Sequence, residues 1–370
     1  MRRFVTPVSL CVALWGGYVA AAAGAAEVTR TLKLELSAED AAKPFAVENL
    51  TGSLGVSRGS SDKVVATVTV HAESDTLADL VRFEQVVDKG GRTTLRVRYP
   101  LDKYRTLRAP RAEREGSGHS WLGFLGLDGS SRIDYDGHRV TVSGSDGVWL
   151  YADVAVELPA RDVDAELRQA VGAVHAGGVS GKLSFESGSG DVTVADARGE
   201  IKAETGSGDI QGSHLEGSFR CSTGSGSCDI TGFKGDALRG DTGSGNIRLS
   251  DVEARVVKAD TGSGDIQATD ILSEDFDADT GSGDVTLIAR EGRLTRVKVD
   301  TGSGDVKLRL GANASFEAYA DQGSGDLVSH YADAQPIVKK KEVVGYRRGD
   351  GKIHIDVDTG SGDVVLEPGS

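Results

Sequence analysis

A glycine-serine-glycine sequence followed by a carboxylate recurs along this chain, as in AETGSGDIQ at residues 203–211. This combination can cradle a phosphate, supply oxygen ligands to calcium, or close a tight turn. Nine copies occur, and their first glycines are separated by 18, 18, 19, 19, 19, 21, 21 and 37 residues. A degenerate copy, QAVGAV at 169–174, precedes them by one period. The carboxylates that directly follow a Gly-Ser-Gly turn are Asp191, Asp209, Asp265, Asp284, Asp305, Asp326 and Asp363.

The residues around each turn predict the elements that position these carboxylates. Apolar residues lie five and three positions before the first glycine, as with Ile201 and Ala203, and another such as Ile210 follows the turn. Apolar residues at every second position indicate a strand on each side of the turn. One coil buries too few side chains to fold alone, so coils must stack in register with parallel pairing. The sequence therefore predicts an all-β fold, a parallel β-solenoid of about ten coils of 18–21 residues.

In this fold, the turn residues need no ligand. Glycine permits positive φ at the corner, and serine, threonine and aspartate side chains can accept hydrogen bonds from unpaired turn amides. Neighbouring carboxylates about 5 Å apart in water repel by roughly 0.8 kcal/mol, which one net hydrogen bond can offset. We therefore interpret the carboxylates as turn residues, while their binding of cations stays open.

Other chemical interpretations match the sequence less well. A calcium-binding β-roll repeats G-G-x-G-x-D-x-U-x back to back, which this chain does not. A dinucleotide site needs a third glycine and a βαβ unit, and a threonine lattice for ice would not border a turn. The histidines are scattered, with no HExxH and no nucleophile elbow. We predict no cofactor, no metal site and no enzymatic activity.

The first 26 residues have the layout of a secretory signal peptide, with MRR followed by an apolar run and a small-residue cleavage site. No later stretch is apolar enough to predict a membrane span. Loss of Arg2 and Arg3 with the leader would change the formal charge from −14 to −16, which argues against nucleic acid as a partner. We expect export to the periplasm or cell envelope, or to the extracellular space.

Two cysteines remain after the leader. Cys221 and Cys228 are the first and last residues of CSTGSGSC, which reads as the one lengthened turn of the repeat. An oxidising compartment favours a disulfide across this turn, and two buried thiols are the alternative.

Two segments interrupt the repeat. The first, GHSWLGFLGLDG at 118–129, contains Trp121 and Phe124 and could be a sticky loop for a partner or membrane surface, or a flap folded on the solenoid. The second, at about 330–352, reads as a projecting hairpin that concentrates positive charge on an acidic protein. Such a hairpin suits an anionic envelope polymer or lipid surface, and a simply solvated hairpin is the alternative. Its candidate binding residues are Lys339, Lys340, Lys341, Arg347 and Arg348.

The chain thus divides into a signal peptide (1–26), an irregular β N-terminal region (27–160) and the repeat solenoid (161–370). VENLTGSLGVSRG, VELPARDVDAEL and the following TGSGDI and TGSGDV units resemble the bacterial putative-adhesin family of β-strand-repeat proteins, a domain of unknown function. The resemblance implies an exported envelope protein with a β-solenoid-like fold, and it supplies no catalytic residues.

Three functional hypotheses follow. The first is a non-enzymatic envelope adhesion or scaffold protein that presents a rod-like surface to an anionic polymer, a lipid surface or an envelope protein. The second is a structural protein that self-associates. The third is a polysaccharide-acting β-helix enzyme.

Overall fold

The computed structural model describes residues 27–87, 91–110, 130–321 and 323–369. Within these ranges the helical structure is limited to a 3-10 turn (Asp40–Ala42) and the single-turn helix α1 (Asp75–Ala78). The strands are β1 (Val28–Leu36), β2 (Phe45–Thr51), β3 (Leu54–Arg58), β4 (Val64–Ala72), β5 (Arg82–Val87), β6 (Thr93–Arg98), β7 (Thr106–Arg108), β8 (Ser131–Tyr135), β9 (His138–Ser143), β10 (Val148–Leu158), β11 (Val163–Val171), β12 (Val174–Gly177), β13 (Ser180–Ser187), β14 (Val192–Ala195), β15 (Arg198–Thr205), β16 (Ile210–Thr223), β17 (Cys228–Thr242), β18 (Ile247–Thr261), β19 (Ile266–Leu272), β20 (Asp275–Thr280), β21 (Val285–Ala289), β22 (Arg296–Thr301), β23 (Val306–Leu310), β24 (Phe316–Asp321), β25 (Leu327–Ser329), β26 (Gln335–Lys339), β27 (Glu342–Arg348), β28 (Ile353–Thr359) and β29 (Val364–Pro368).

Each coil consists of a strand, a tight turn and a second strand. In the coil formed by β15 and the start of β16, Ile201, Ala203 and Ile210 are buried. Equivalent residues of successive coils are parallel ladder partners, so Ile201 lies beside Phe219 and Ile210 beside Cys228. The inward residues form one continuous hydrophobic core. The predicted all-β, parallel, solenoid-like fold is confirmed.

The described residues form eleven such coils. Strands β16, β17 and β18 each bend from the post-turn ladder of one coil into the pre-turn ladder of the next. At about 4.8 Å per coil, the stack spans about 50 Å. In stacking order, the pre-turn strands are β2, β11, β13, β15, β16, β17, β18, β20, β22, β28 and β24.

The stack reaches back into the N-terminal region. Strand β2 is parallel to β11, and β3 is parallel to β12, so TGSL at 51–54 is a further degenerate turn. The post-turn ladder continues through β10 and then, antiparallel, through β4 and β1. The pre-turn ladder continues through β6 and β5. Strands β7, β8 and β9 form a small separate sheet with the start of β10.

At the other end, stacking order departs from chain order. The coil of β28 and β29 lies between the coil of β22 and β23 and the coil of β24 and β25. The ninth motif copy therefore stacks on the seventh, and the eighth is the last coil of the stack.

The predicted basic hairpin is present as β26 and β27, and the last four residues of β27 join the edge of the stack. Strand β27 pairs antiparallel with β24, with Phe316 opposite Arg348 and Tyr319 opposite Gly345. The reason is that β24 is the last pre-turn strand and has an unpaired edge, which β27 covers. The hairpin turn consists of Lys340 and Lys341, both with positive φ, at 49° and 76°.

Candidate functional site

The threonines of the turn are buried and bonded within the stack. In the turn after β18, the amide of Gly264 donates to Thr261 Oγ1 at 3.2 Å, and this hydroxyl donates to the carbonyl of Gly245 in the preceding coil at 2.9 Å. Thr261 is 1% exposed. The same pair of bonds recurs at Thr205, Thr223, Thr242, Thr280, Thr301 and Thr359. The hydroxyls therefore join coils together.

The turn glycines are required for a different reason than the sequence suggested. Among the turn glycines of the nine motif copies that the structure describes, Gly323 alone has a positive φ, of 52°. A Cβ atom built on Gly264 would instead overlap the carbonyl oxygen of Gly245. The prediction of positive φ at each corner is therefore wrong, and glycine is needed because neighbouring turns are in direct backbone contact.

The turn carboxylates form a ladder of hydrogen bonds between coils. Asp265 Oδ1 accepts from the amide of Asp284 at 3.0 Å, and Asp284 Oδ1 accepts from the amide of Asp305 at 2.9 Å. Asn246 makes the same bond to the amide of Asp265 at 2.8 Å, so a negative charge is not needed. Asp191, Asp209, Asp305 and Asp363 accept equivalent bonds, and the amide of Asp326 donates to the last of them. One carboxylate oxygen in each of these bonds is thus committed to the stack.

Cys221 and Cys228 form a disulfide, with Cα atoms 6.5 Å apart. The turn between them is not lengthened, in contrast to the sequence interpretation. Cys228 pairs with Ile210 and therefore occupies the first inward position after the turn. Ser227 takes the carboxylate position, and its amide donates to Asp209 Oδ1 at 2.8 Å. Within one coil, the disulfide joins an inward position of the pre-turn strand to the first inward position after the turn.

Sequence reasoning missed a second acidic column on the outer face of the pre-turn strands. The sequence contains the signal for this column, because an aspartate is the first residue of each DTGSG copy. Burial, with Asp300 and Asp260 on either side, raises the pKa of Asp279. The column places one carboxylate beside the turn of each of these coils. Its stacked members are Asp241, Asp260, Asp279, Asp300, Asp358 and Asp321.

These carboxylates do not converge on a metal-binding geometry. Within residues 27–87, 91–110, 130–321 and 323–369, no group of three or more His, Cys, Asp or Glu side chains is arranged to hold an ion. The ladder spaces them one per coil along the stack, which favours hydrogen bonding over chelation.

The five basic candidates of the hairpin separate into two groups. Arg348 is structural: its side chain is 17% exposed, Nε donates to Asp333 at 2.6 Å, and the guanidinium lies 5.0 Å from the Tyr331 ring centroid. From the sequence, Arg348 is a candidate for partner binding, but its guanidinium is already engaged by Asp333 and Tyr331. Arg347 is exposed on β27, and the other three candidates, Lys339, Lys340 and Lys341, are exposed at the turn. We call these three lysines the lysine tip.

The lysine tip adjoins a cleft of about 1040 Å³ between the hairpin and the last coils. Lys339 Nζ lies 5.8 Å from the centroid of the Tyr319 ring, and Asp300 and Asp321 line the same cleft. Val338, 56% exposed, extends the tip with an apolar side chain. The other two predicted partner residues, Trp121 and Phe124, lie outside the described residues.

A charged cluster at the N-terminal end was not found from the sequence, because its members are distant along the chain. His71 Nδ1 is 2.7 Å from Glu27 Oε1, and His71 Nε2 is 3.2 Å from Asp153 Oδ2. The imidazole stacks on Tyr151, with ring centroids 4.4 Å apart. Asp153 also accepts from the amide and hydroxyl of Ser53. The cluster ties β1, β4 and β10 to the first turn of the stack.

This cluster predicts a pH dependence of stability. Burial opposes protonation of His71, but hydrogen bonds and charges from Asp153 and Glu27 outweigh it and raise the pKa of the imidazole. Because the pKa of His71 is higher in the folded state, its protonation stabilises the fold. This contribution is complete when the pH is below the unfolded-state pKa of about 6.5, and it is lost as the pH rises through the folded-state pKa. We expect the melting temperature of wild-type protein to fall over that interval, and His71→Gln to remove this part of the pH profile. His175→Gln, at an exposed position of β12, is the control, and an unchanged profile in His71→Gln would contradict the assignment.

No helix of the described residues is long and apolar enough to cross a membrane.

Comparisons with known proteins place the fold in a family. A search among curated proteins gave no significant match. Two solved structures are similar: a putative lipid binding protein from Parabacteroides distasonis ATCC 8503 (12% identity, TM-score 0.38, covering 90% of this chain and 96% of that one), and a putative cell adhesion protein from Clostridium sporogenes ATCC 15579 (10% identity, TM-score 0.20, covering 92% and 100%). Similarity at this level transfers no function. The family model Toastrack DUF4097 matches residues 154–367, more than half of the chain, so the protein belongs to this family, a domain of unknown function.

Proposed function

We propose that the protein is an exported, non-enzymatic scaffold or adhesion module of the cell envelope that presents the rod-like surface of its stacked coils. The observation that carries the proposal is the use of the repeated motif. Thr261 bonds to the preceding coil, and the Asp265 carboxylate bonds to the following one. A motif whose threonine hydroxyl and turn carboxylate bond to the neighbouring coils serves to extend a surface, because these groups hold the stack together.

Export is supported by two features of different kinds. The leader-like segment 1–26 would direct the chain across a membrane. The Cys221–Cys228 disulfide is a stable bond in the oxidising compartments that such a leader reaches.

The lysine tip is the part of this surface that suits an anionic partner. The formal charge of −14 repels anionic polymers and headgroups from the protein as a whole. Lys339, Lys340 and Lys341 are exposed together at a hairpin turn, beside the exposed apolar side chain of Val338. Cationic side chains next to an apolar one favour a surface of anionic headgroups, and the same charges can bind an acidic envelope polysaccharide.

The test replaces the three tip lysines by serine, without Arg348, which holds the hairpin in place. Wild-type protein is expected to be retained on vesicles containing anionic lipid, or on acidic envelope polysaccharide, at low salt. Retention should weaken as the screening length falls from about 10 Å at 0.1 M salt to about 3 Å at 1 M. The triple variant should lose retention and keep its melting temperature, because these side chains lie outside the core.

A matched control keeps the net charge equal. Lys43, Lys182 and Lys234 are also exposed, with side chains 61%, 64% and 73% accessible, and their triple serine variant should bind as wild type. The vesicle and polysaccharide arms distinguish the two sources of negative charge. Equal retention of both triple variants, or no retention of wild-type protein at low salt, would refute the role of the lysine tip.

A structural protein that self-associates is the second candidate. It is favoured by the stacking order at the end of the rod, where a coil is inserted between two coils that precede it in the chain.

A further inference from the structure

The coil formed by β28 and β29, residues 353–368, has an unusual position, and we call it the inserted coil. Its two neighbours, the coil of β22 and β23 and the coil of β24 and β25, both precede it in the chain. Together they form a slot one coil wide, which the inserted coil fills. Elsewhere from β11 to β22, each coil stacks on the one that precedes it in sequence.

The inserted coil is held on both of its sides. Strand β28 pairs with β22 and β24, and β29 pairs with β23 and β25, all in parallel. Ile355 and Leu366 are fully buried between these neighbours. At its outer end, Glu367 is bonded to Arg309 at 2.8 Å and to Lys307 at 3.2 Å, both on β23.

The slot is specific for a coil of this repeat and does not specify which chain supplies it. Ile355 stands between Val297 and Ala318, which are the equivalent positions of the flanking coils. All of these ladder contacts join the inserted coil to segments other than itself, and its covalent link to the slot runs through the hairpin of β26 and β27. A second copy of the chain could make the same contacts with the same register.

Like charges oppose closure of the slot. Asp358 lies between Asp300 and Asp321 on the outer face. At the turn, the Asp363 carboxylate accepts from the amide of Asp326, and the Asp363 amide donates to the Asp305 carboxylate. Repulsion between such neighbours weakens the boundary, and Lys298, the ladder partner of Asp356, offsets part of it.

We propose that the inserted coil exchanges between two copies of this protein, so that residues 353–368 of one chain fill the slot of the other. Exchange of identical elements replaces each intramolecular contact by the same intermolecular contact, so its extent depends on protein concentration. The partner surface is the slot itself. This inference does not depend on the function proposed above, since it involves neither export nor the lysine tip.

The experiment uses two full-length variants of different mass, one with Lys298→Cys and the other with Asp356→Cys. These residues are ladder partners across the slot boundary, on β22 and β28. Exchange of the inserted coil brings these two thiols into disulfide range, because β28 of one chain then lies beside β22 of the other and each chain carries one of the two cysteines. After incubation of the concentrated mixture below its melting temperature, followed by oxidation, we expect a covalent dimer that contains one chain of each mass.

A control pair uses the same substitutions at a boundary inside the stack. Lys258 and Asp277 are ladder partners on β18 and β20, which are consecutive in the chain. A mixture of Lys258→Cys and Asp277→Cys chains should give no such dimer, because exchange there would require many coils to open. Equal crosslinking of the two mixtures would overturn the proposal, since it would show collision of surface thiols.

A further variant makes a slow exchange measurable. Glu367→Gln removes the ion pairs to Arg309 and Lys307 that hold the end of the inserted coil, and it should accelerate the appearance of the mixed dimer. If the mixed dimer fails to exceed the control in both the wild-type and the Glu367→Gln backgrounds, the inserted coil does not exchange and the proposal is refuted.

Discussion

Ile266→Asp is expected to unfold several neighbouring coils together and to lower the free energy of unfolding by about 4 kcal/mol or more. Ile266 is fully buried at the start of β19. Its ladder partners are Ile247 in one adjacent coil and Val285 in the other. A carboxylate at this position would be buried among apolar side chains with no hydrogen-bond donor designed for it. Because coils are stabilised by their nearest neighbours, the damage should spread along the stack.

The matched control is the next residue. Gln267 is exposed on β19 and points to the opposite face of the strand, so Gln267→Asp should change the melting temperature little. Thermal unfolding followed by circular dichroism measures both variants. Similar melting of the two would mean that the inward and outward positions have been assigned wrongly along the whole ladder.

The inward columns could be predicted from the sequence because two independent periods agree. A step of two around each turn identifies Ile201 and Ile210 as inward residues, and a period of 18–21 residues aligns them with the next copy. The ladder pairs Ile201 with Phe219 and Ile210 with Cys228, as this alignment requires, with one residue of the pattern changed to cysteine.

Stacking order could not be predicted from the same pattern. Every copy presents the same inward columns, so Val297 can pack on Ala318 or on Ile355 with no change of register. The sequence therefore indicates that copies stack but not which copies are neighbours. The choice depends on contacts outside the repeat, such as the bonds of Glu367 to Lys307 and Arg309.

The candidate binding residues divided for a similar reason. A run of basic residues indicates positive charge, but it does not indicate which of these side chains form contacts within the folded protein. Arg348 contacts Asp333 and Tyr331 because β27 pairs with the edge of β24, and that pairing follows from the stacking order. Lys340 and Lys341 stay exposed because a turn of two residues places them at the end of the hairpin.

The turn glycines support a second large effect. Gly264→Ala is expected to destabilise the protein by at least the roughly 1–3 kcal/mol of an overpacked core substitution. The added Cβ would overlap the Gly245 carbonyl of the adjacent turn, and the ladder hydrogen bonds on both sides prevent the coils from moving apart. Gly144→Ala is the control, because a Cβ at Gly144 meets no atom within 4 Å. Melting temperatures measure both changes.

A third substitution at the same position separates the two explanations for glycine. If glycine were needed for a left-handed backbone, asparagine would be tolerated better than alanine, because asparagine adopts positive φ more readily. If glycine is needed because backbones touch, Gly264→Asn should be at least as destabilising as Gly264→Ala, since any Cβ meets the same carbonyl oxygen. We expect the second result. A more stable asparagine variant would restore the conformational explanation, and it would mean that the distance between turns can relax to admit a side chain.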